Sequence, residues 1–202
     1  MVRGDPGWRM KGSATNRTAV VDRTAPSRTP PPRFFLLALA TAVATGMASL
    51  PTSAAAAAAV NVTITAEHML AATNRLRDEA GLPPLKRDER LERAALDFAR
   101  YMAQTDRYGH QADGREPSQR VEAAGYEWCM VAENIGWQYD SRGFDTASLA
   151  RRLVDGWEKS PPHRANMLDK RPRDIGIATA QSPRSGRHYG VQLFARPCAA
   201  QR

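Results

Sequence analysis

The chain has 202 residues and a formal net charge of +8, a length that bounds it to one domain or two very small ones. The charge is uneven: seven Lys and Arg against two Asp put +5 before residue 60 and leave +3 on residues 60–202. There the charges interleave, as in RDEAG and KRDERLER, which is a solvated surface pattern and excludes a nucleic-acid stripe; weak attraction to anionic envelope polymers stays open.

Residues 1–59 read as a leader. A basic segment from Arg3 to Arg33 precedes the uncharged run FFLLALATAVATGMASL at 34–50, and an alanine run follows at 54–59. Basic, apolar and small-residue parts in that order make a secretory signal peptide. The apolar run sits at the lower edge of a bilayer span, so an uncleaved anchor is the alternative and the one route to membrane contact. Either way the expected location is secreted, periplasmic or at the cell envelope, and the expected state is a monomer. Cys129 and Cys198 are the two cysteines. An oxidising compartment allows a single disulfide between them, which closes a loop of about 70 residues and contributes ~4 kcal/mol in the chain-entropy account.

Residues 60–65 read as a short linker, 66–198 as the domain and 199–202 as a tail. Thr65 caps a predicted helix over Ala66–Ala80, with Met69, Leu70, Thr73 and Leu76 on its stripe and Gly81 as its stop. A second helix is predicted over Asp88–Asp106, burying Leu91, Ala95, Phe98 and Met102. The loop YGHQADGREP leads to a short helix, Ser118–Ala124, with Ser118 as cap. Trp128–Trp137 reads as extended chain, Thr146–Lys159 as a helix, and Ser160-Pro161 as the start of another helical turn, with Ser160 as cap. DIGIATAQ and HYGVQLFAR then read as an antiparallel hairpin. Helices first, with strands inserted and ending the domain, make the fold class α+β.

Four histidines are candidates for chemistry. His68 reads as a surface residue, and His188 begins a strand and can face either way. His110 lies in a Gly/Asp-rich loop where no core pattern accounts for it, and His163 follows Ser160-Pro-Pro. Glu133 interrupts an apolar strand, and a buried carboxylate must be paired, hydrogen-bonded or metal-bound. Trp128, Trp137 and Tyr139 either flank a cleft or pack in the core.

Taken together, NRLRDEAGLPPL, His110, REPSQRVEAAGY, VAENIGW, WEKSPPHRANML, DIGIA and YGVQLFA resemble a bacterial member of the CAP superfamily. That family groups cysteine-rich secretory proteins, insect venom allergens and plant pathogenesis-related proteins. The resemblance covers about Ala66 to Arg196. It implies an α-β-α sandwich with a small central antiparallel sheet, and an open cleft that carries two His and two acidic residues in many eukaryotic members. His110 matches the first His, and Glu133 and Asn134 belong to the ENI motif. The second acidic position falls on Ser160 and the second His on Tyr189, so both depart from that pattern. His163 is the expected replacement, whereas His188 is one residue off and faces the other way. His110, Glu133 and His163 would then form an open divalent-metal site, with Zn or a similar ion; no HExxH supports a protease. The family is implicated in binding sterols, lipids, peptides or glycans. The expectation is a binding module for an extracytoplasmic small molecule, lipid or cell-wall glycan. The competing reading is a metal-assisted or Ser160/His163 hydrolase.

Overall fold

In the computed structural model of the chain, which describes residues 60–198, the first helix begins before the apolar stripe does. α1 spans Val62–Glu79, and the Asn61 side chain caps it by accepting from the Ile64 N–H at 3.1 Å. Thr65, the predicted cap, instead donates its hydroxyl to the Asn61 carbonyl at 2.7 Å. Residues 60–65, read as a linker, thus carry the first helical turn. Asn and Thr are both cap types; in the early turn Val62 and Ile64 are exposed and Thr65 is buried. The leader and the tail lie outside the described residues. Among those described, no helix is long and apolar enough to cross a membrane.

β1 (Lys86–Arg87) and α2 (Glu89–Thr105) follow, with Asp88 capping α2. Leu91, Ala95, Phe98 and Met102 are all buried, as their spacing predicts. The helix ends at Asp106, a non-glycine residue in the left-handed region (φ 54°). Ser185 and Tyr189 hydroxyls donate to its Oδ1 at 2.7 and 3.1 Å; the Ser185 bond is the main reason its carboxyl titrates below the usual range. These bonds hold a conformation that a side chain disfavours. α3 is Pro117–Ala123. Its start is fixed not by Ser118 but by Gln119, whose Oε1 accepts the Glu116 N–H at 2.8 Å. Gln three positions into a helix satisfies the same orphan donors as a cap residue.

β2 (Trp128–Gln138), α4 (Thr146–Lys159), α5 (Pro161–Met167), β3 (Asp174–Gln181) and β4 (His188–Pro197) complete the domain. The sheet order is β1-β3-β4-β2, with β3–β4 and β4–β2 antiparallel. The two-residue β1 joins in parallel, so the sheet is mixed at one edge. One face packs on α2 and α3 through Phe98, Met102, Val121, Ile135, Val191 and Leu193. The other packs on α1, α4 and α5 through Met69, Leu149, Leu153, Trp157, Ile175 and Phe194. This is an α+β domain of sandwich form.

Two close approaches set the layers. A Cβ on Gly176 would lie 2.1 Å from the Leu91 carbonyl carbon, so DIGIA keeps a glycine where α2 backbone meets β3. On the other face Gly136 and Gly190 are cross-strand partners. A Cβ on either would crowd Trp157 or Leu153 of α4. Trp157 lies in that slot and donates its indole N–H to the Ile135 carbonyl at 3.0 Å. Cys129 and Cys198 form the disulfide, with Cα atoms 4.8 Å apart. Cys129 sits where the β2–β4 register shifts between Trp128 and Met130, an extra residue that re-aims a side chain.

Candidate functional site

Strand alternation decides which predicted residues meet. Glu133 points to the α2/α3 side, where the loop carrying His110 crosses it. Its side chain is 1 % exposed, and that of His110 is 20 % exposed. Glu133 Oε1 lies 2.8 Å from His110 Nδ1, and Oε2 accepts from Arg120 Nη2 at 2.8 Å. Arg120 of α3 is buried. It also donates to Asp113 Oδ1 (2.8 Å), the Arg115 carbonyl (2.7 Å) and the His110 carbonyl (2.9 Å). Its guanidinium stacks 3.6 Å above the Phe98 ring. A buried guanidinium between two carboxylates meets the rule that buried charges are paired and hydrogen-bonded.

This network gives His110 a fixed tautomer. A carboxylate at Nδ1 needs a proton there, which leaves Nε2 as the acceptor in the neutral ring. Arg120 braces the loop from behind through the His110 carbonyl, so both ring and backbone are held. The sequence signalled that a buried Glu133 must be paired, hydrogen-bonded or metal-bound. It did not identify Arg120 among the 22 Lys and Arg that follow the leader; the REPSQR segment carries it.

Asn134, the next residue, points to the α1/α4/α5 side. Its Nδ2 donates to the His163 carbonyl (3.1 Å) and to Gln192 Oε1 (3.2 Å), while its Oδ1 accepts from Asn166 (2.9 Å). Gln192 continues to Thr73 Oγ1 at 2.9 Å. A buried polar chain thus links α5, β2, β4 and α1. Asn134 is a tie between layers and does not line an open cleft. His163 is buried on this side, and its Nδ1 lies 2.9 Å from Ser160 Oγ. That bond replaces the expected cap: Ser160 occupies the N-cap position of α5 without a side-chain cap bond. Tyr189 is fully buried in the α2-side core and spends its hydroxyl on Asp106. His188 is also buried, edge-on to Phe144 at 5.5 Å, and burial lowers its pKa.

The metal triad expected from the sequence is therefore not assembled. Glu133 and Asn134 occupy opposite faces, and α5 brings His163 to the Asn134 face. Both Glu133 oxygens are engaged. Among the described residues no group of three or more His, Cys, Asp and Glu could hold a metal ion. The residues present do not fit a chelated divalent cation.

The aromatics expected at a cleft are exposed. Trp137 (37 %) follows Glu133 on the same strand face, and Tyr139 (54 %) stands just past the strand end. Arg187 lies 4.4 Å over the Trp137 ring. Tyr108, also exposed, donates to the Ile135 carbonyl at 3.2 Å, between His110 and Trp137 along β2. The rim His110–Tyr108–Trp137 extends over about 13 Å at ~3.3 Å per strand residue. Trp128 is exposed at the far end of β2, beside the disulfide.

The family model for CAP, the cysteine-rich secretory protein family, matches residues 70–194. Comparison with curated proteins returns no significant match. Among solved structures, an outer surface protein from Borrelia burgdorferi superposes with TM-score 0.58 at 20 % identity, covering 69 % of this chain and 99 % of that one. An extracellular SCP-domain protein from Bacillus anthracis gives TM-score 0.56 at 20 % identity, covering 67 % and 41 %. A cysteine-rich secretory protein from Staphylococcus aureus gives 0.51 at 19 %, covering 67 % and 39 %. The match thus spans about two fifths of the last two chains. These likenesses show the fold. With the family model spanning more than half of the sequence, the chain belongs to the CAP, or cysteine-rich secretory protein, family.

Proposed function

We propose that the protein is an exported binding domain that engages a cell-envelope lipid, glycan or peptide through the His110–Tyr108–Trp137 rim. The supporting observation is the aromatic exposure beside a histidine held from two sides. Exposed aromatic faces with a polar tip are contact surfaces for amphipathic ligands. A single oriented imidazole with Nε2 as acceptor supplies one directed hydrogen bond rather than a catalytic set. Export is supported by the leader sequence, by the cross-strand disulfide and by the extracellular context of the Bacillus relative.

The test is co-sedimentation with purified peptidoglycan sacculi and, separately, with vesicles of envelope lipids. Wild type is expected to pellet with one of them. Trp137→Ala should lower retention at least tenfold, and His110→Gln should lower it less. A protein that stays in solution with both overturns the reading.

A hydrolase remains the second reading, because Ser160 and His163 are in hydrogen-bond contact. The carboxylate that would orient such a base serves His110 instead. Equal hydrolysis of a peptide and ester panel by wild type and Ser160→Ala rejects this reading.

A further inference from the structure

The turn between β3 and β4 fixes the Trp137 end of the rim. Trp137 pairs with Tyr189 across the ladder. Arg187, two residues before Tyr189, shares its face of the sheet. The Arg187 carbonyl accepts from the Ser182 N–H at 2.8 Å, and the Gly186 N–H donates to the Ser182 carbonyl at 3.0 Å. Gly186 takes a positive φ of 69°, and a Cβ there would lie 3.3 Å from the Tyr139 ring. The turn thus packs against Tyr139 and sets the Arg187 guanidinium over Trp137 at 4.4 Å. Held in this way, the guanidinium is oriented before any ligand arrives.

Charge at this end is not balanced. Arg142, Arg152, Arg184 and Arg187 stand against Asp106 and Asp140. Asp140 lies 3.3 Å from Arg142 and 3.6 Å from Arg152. Asp106 lies 3.4 Å from Arg184 and accepts from the Ser185 and Tyr189 hydroxyls. Arg187 has no carboxylate within ion-pair distance among the described residues. At the His110 end the carboxylates are engaged as well: Glu133 and Asp113 share Arg120, and Glu116 accepts from the Gln111 amide. The rim therefore presents one acceptor at His110 Nε2, exposed aromatic rings and a surplus cation at Arg187.

We propose, resting on the binding-domain reading above, that the ligand of this rim is an acidic glycan. One sugar ring stacks on Trp137, a hydroxyl donates to His110 Nε2, and a carboxylate or phosphate on the glycan pairs with Arg187. A pyranose presents an apolar C–H face ringed by hydroxyl donors, which matches an exposed indole beside an acceptor. A guanidinium is the group best shaped to hold a carboxylate or a phosphate. The other two ligand classes use the rim less completely. A peptide adding to the edge of β2 meets carbonyls of Glu133 and Ile135 already taken by Asn166, Trp157 and Tyr108. An acyl chain uses neither the acceptor nor the cation. At about 13 Å the rim is longer than one sugar ring, so the smallest unit it recognises is a disaccharide.

The experiment titrates the full chain, isotope-labelled, with three disaccharides that differ in one substituent. They are neutral di-N-acetylchitobiose, its counterpart with an ether-linked lactate carboxylate on one ring, and its counterpart with a 6-phosphate. Binding is read at the Trp137 indole N–H and Arg187 Nε–H resonances. At least one charged disaccharide is expected to bind at least tenfold more tightly than the neutral one, and which of them does so identifies the oxyanion. Arg187→Gln should bring that Kd to the value for the neutral sugar, and Arg187→Lys should keep part of the preference. Should Arg187→Gln fail to fold, salt reads the same contribution in wild type. At about 1 M, where the screening length is about 3 Å, the preference should fall below about threefold. Equal affinity for all three sugars, an unchanged preference in Arg187→Gln, or shifts that miss Trp137 and Arg187 overturn the acidic-glycan assignment and leave the binding-domain reading standing. No binding of any disaccharide at millimolar concentration overturns the assignment too, and co-sedimentation with sacculi and vesicles then decides the broader reading separately.

Discussion

The two edges of the sheet are built in opposite ways. At β2, the outward carbonyls of Glu133 and Ile135 are taken by side chains: Asn166 reaches the first at 3.3 Å, and Trp157 and Tyr108 share the second. At β3, two residues of β1 cover the start of the strand, and the rest of its edge borders a slot. An unpaired edge is a template for another chain. The fold thus closes one edge with helix-borne polar groups and shields the other by packing, with Ile177 and Thr179 both buried.

The sharpest way to break this contrast is Trp157→Ala. It empties the Gly136–Gly190 slot and exposes the Ile135 carbonyl, so it should cost about 3–5 kcal/mol in urea unfolding and raise aggregation. A loss below about 1 kcal/mol would mean that β2 is not closed by this residue. Asn166→Ala removes bonds to the Glu133 carbonyl and to Asn134 Oδ1. Its expected cost is about 1–2 kcal/mol, again by urea unfolding. A smaller effect is predicted for pH. His188 pairs with Gln138 of β2 and Gln181 of β3, so it touches both edge strands. Burial lowers its folded pKa below the unfolded value of about 6.5. The unfolded chain then binds the proton first, so stability is full above about pH 6.5 and falls as pH drops from there towards the folded pKa. Melting of His188→Gln against wild type between pH 7.5 and 5 should show a shallower acid slope in the variant. The smallest effect belongs to β3. Thr179→Val removes a buried hydroxyl with no partner, and should be neutral or stabilising by up to about 1 kcal/mol. A clear loss would show that the hydroxyl is satisfied.

Much of the fold was legible because local signals agreed with tertiary ones. The helix starting near Asp88, the Leu91–Met102 stripe, Thr146–Lys159 and the two C-terminal strands all read directly. β1 did not, since Lys86 and Arg87 have no strand pattern and are extended only because β3 offers them partners. The site was half legible. The resemblance named His110 and Glu133, which do meet. It also grouped His163 and Tyr189 with them, and here the physics of the strand intervened. Asn134 is one step along the strand from Glu133, and that step sends α5 and His163 to the far side. Tyr189 shares the Glu133 face yet lies under α2, where its hydroxyl completes the Asp106 corner. No spacing rule reveals Arg120, because its role depends on how α3 is set against β2.

The position of β4 has a consequence for assembly. It is the last strand of the domain in chain order, yet it lies between β3 and β2 and supplies the partners of both. Until His188–Pro197 is in place, β2 has nothing to pair with and β3 has only the two residues of β1. All the helices can be present while the sheet they pack on does not exist. A polypeptide emerging in order would stay uncommitted until this last strand arrives, and the Cys129–Cys198 bond, one residue past β4, can lock only an assembly that is already finished.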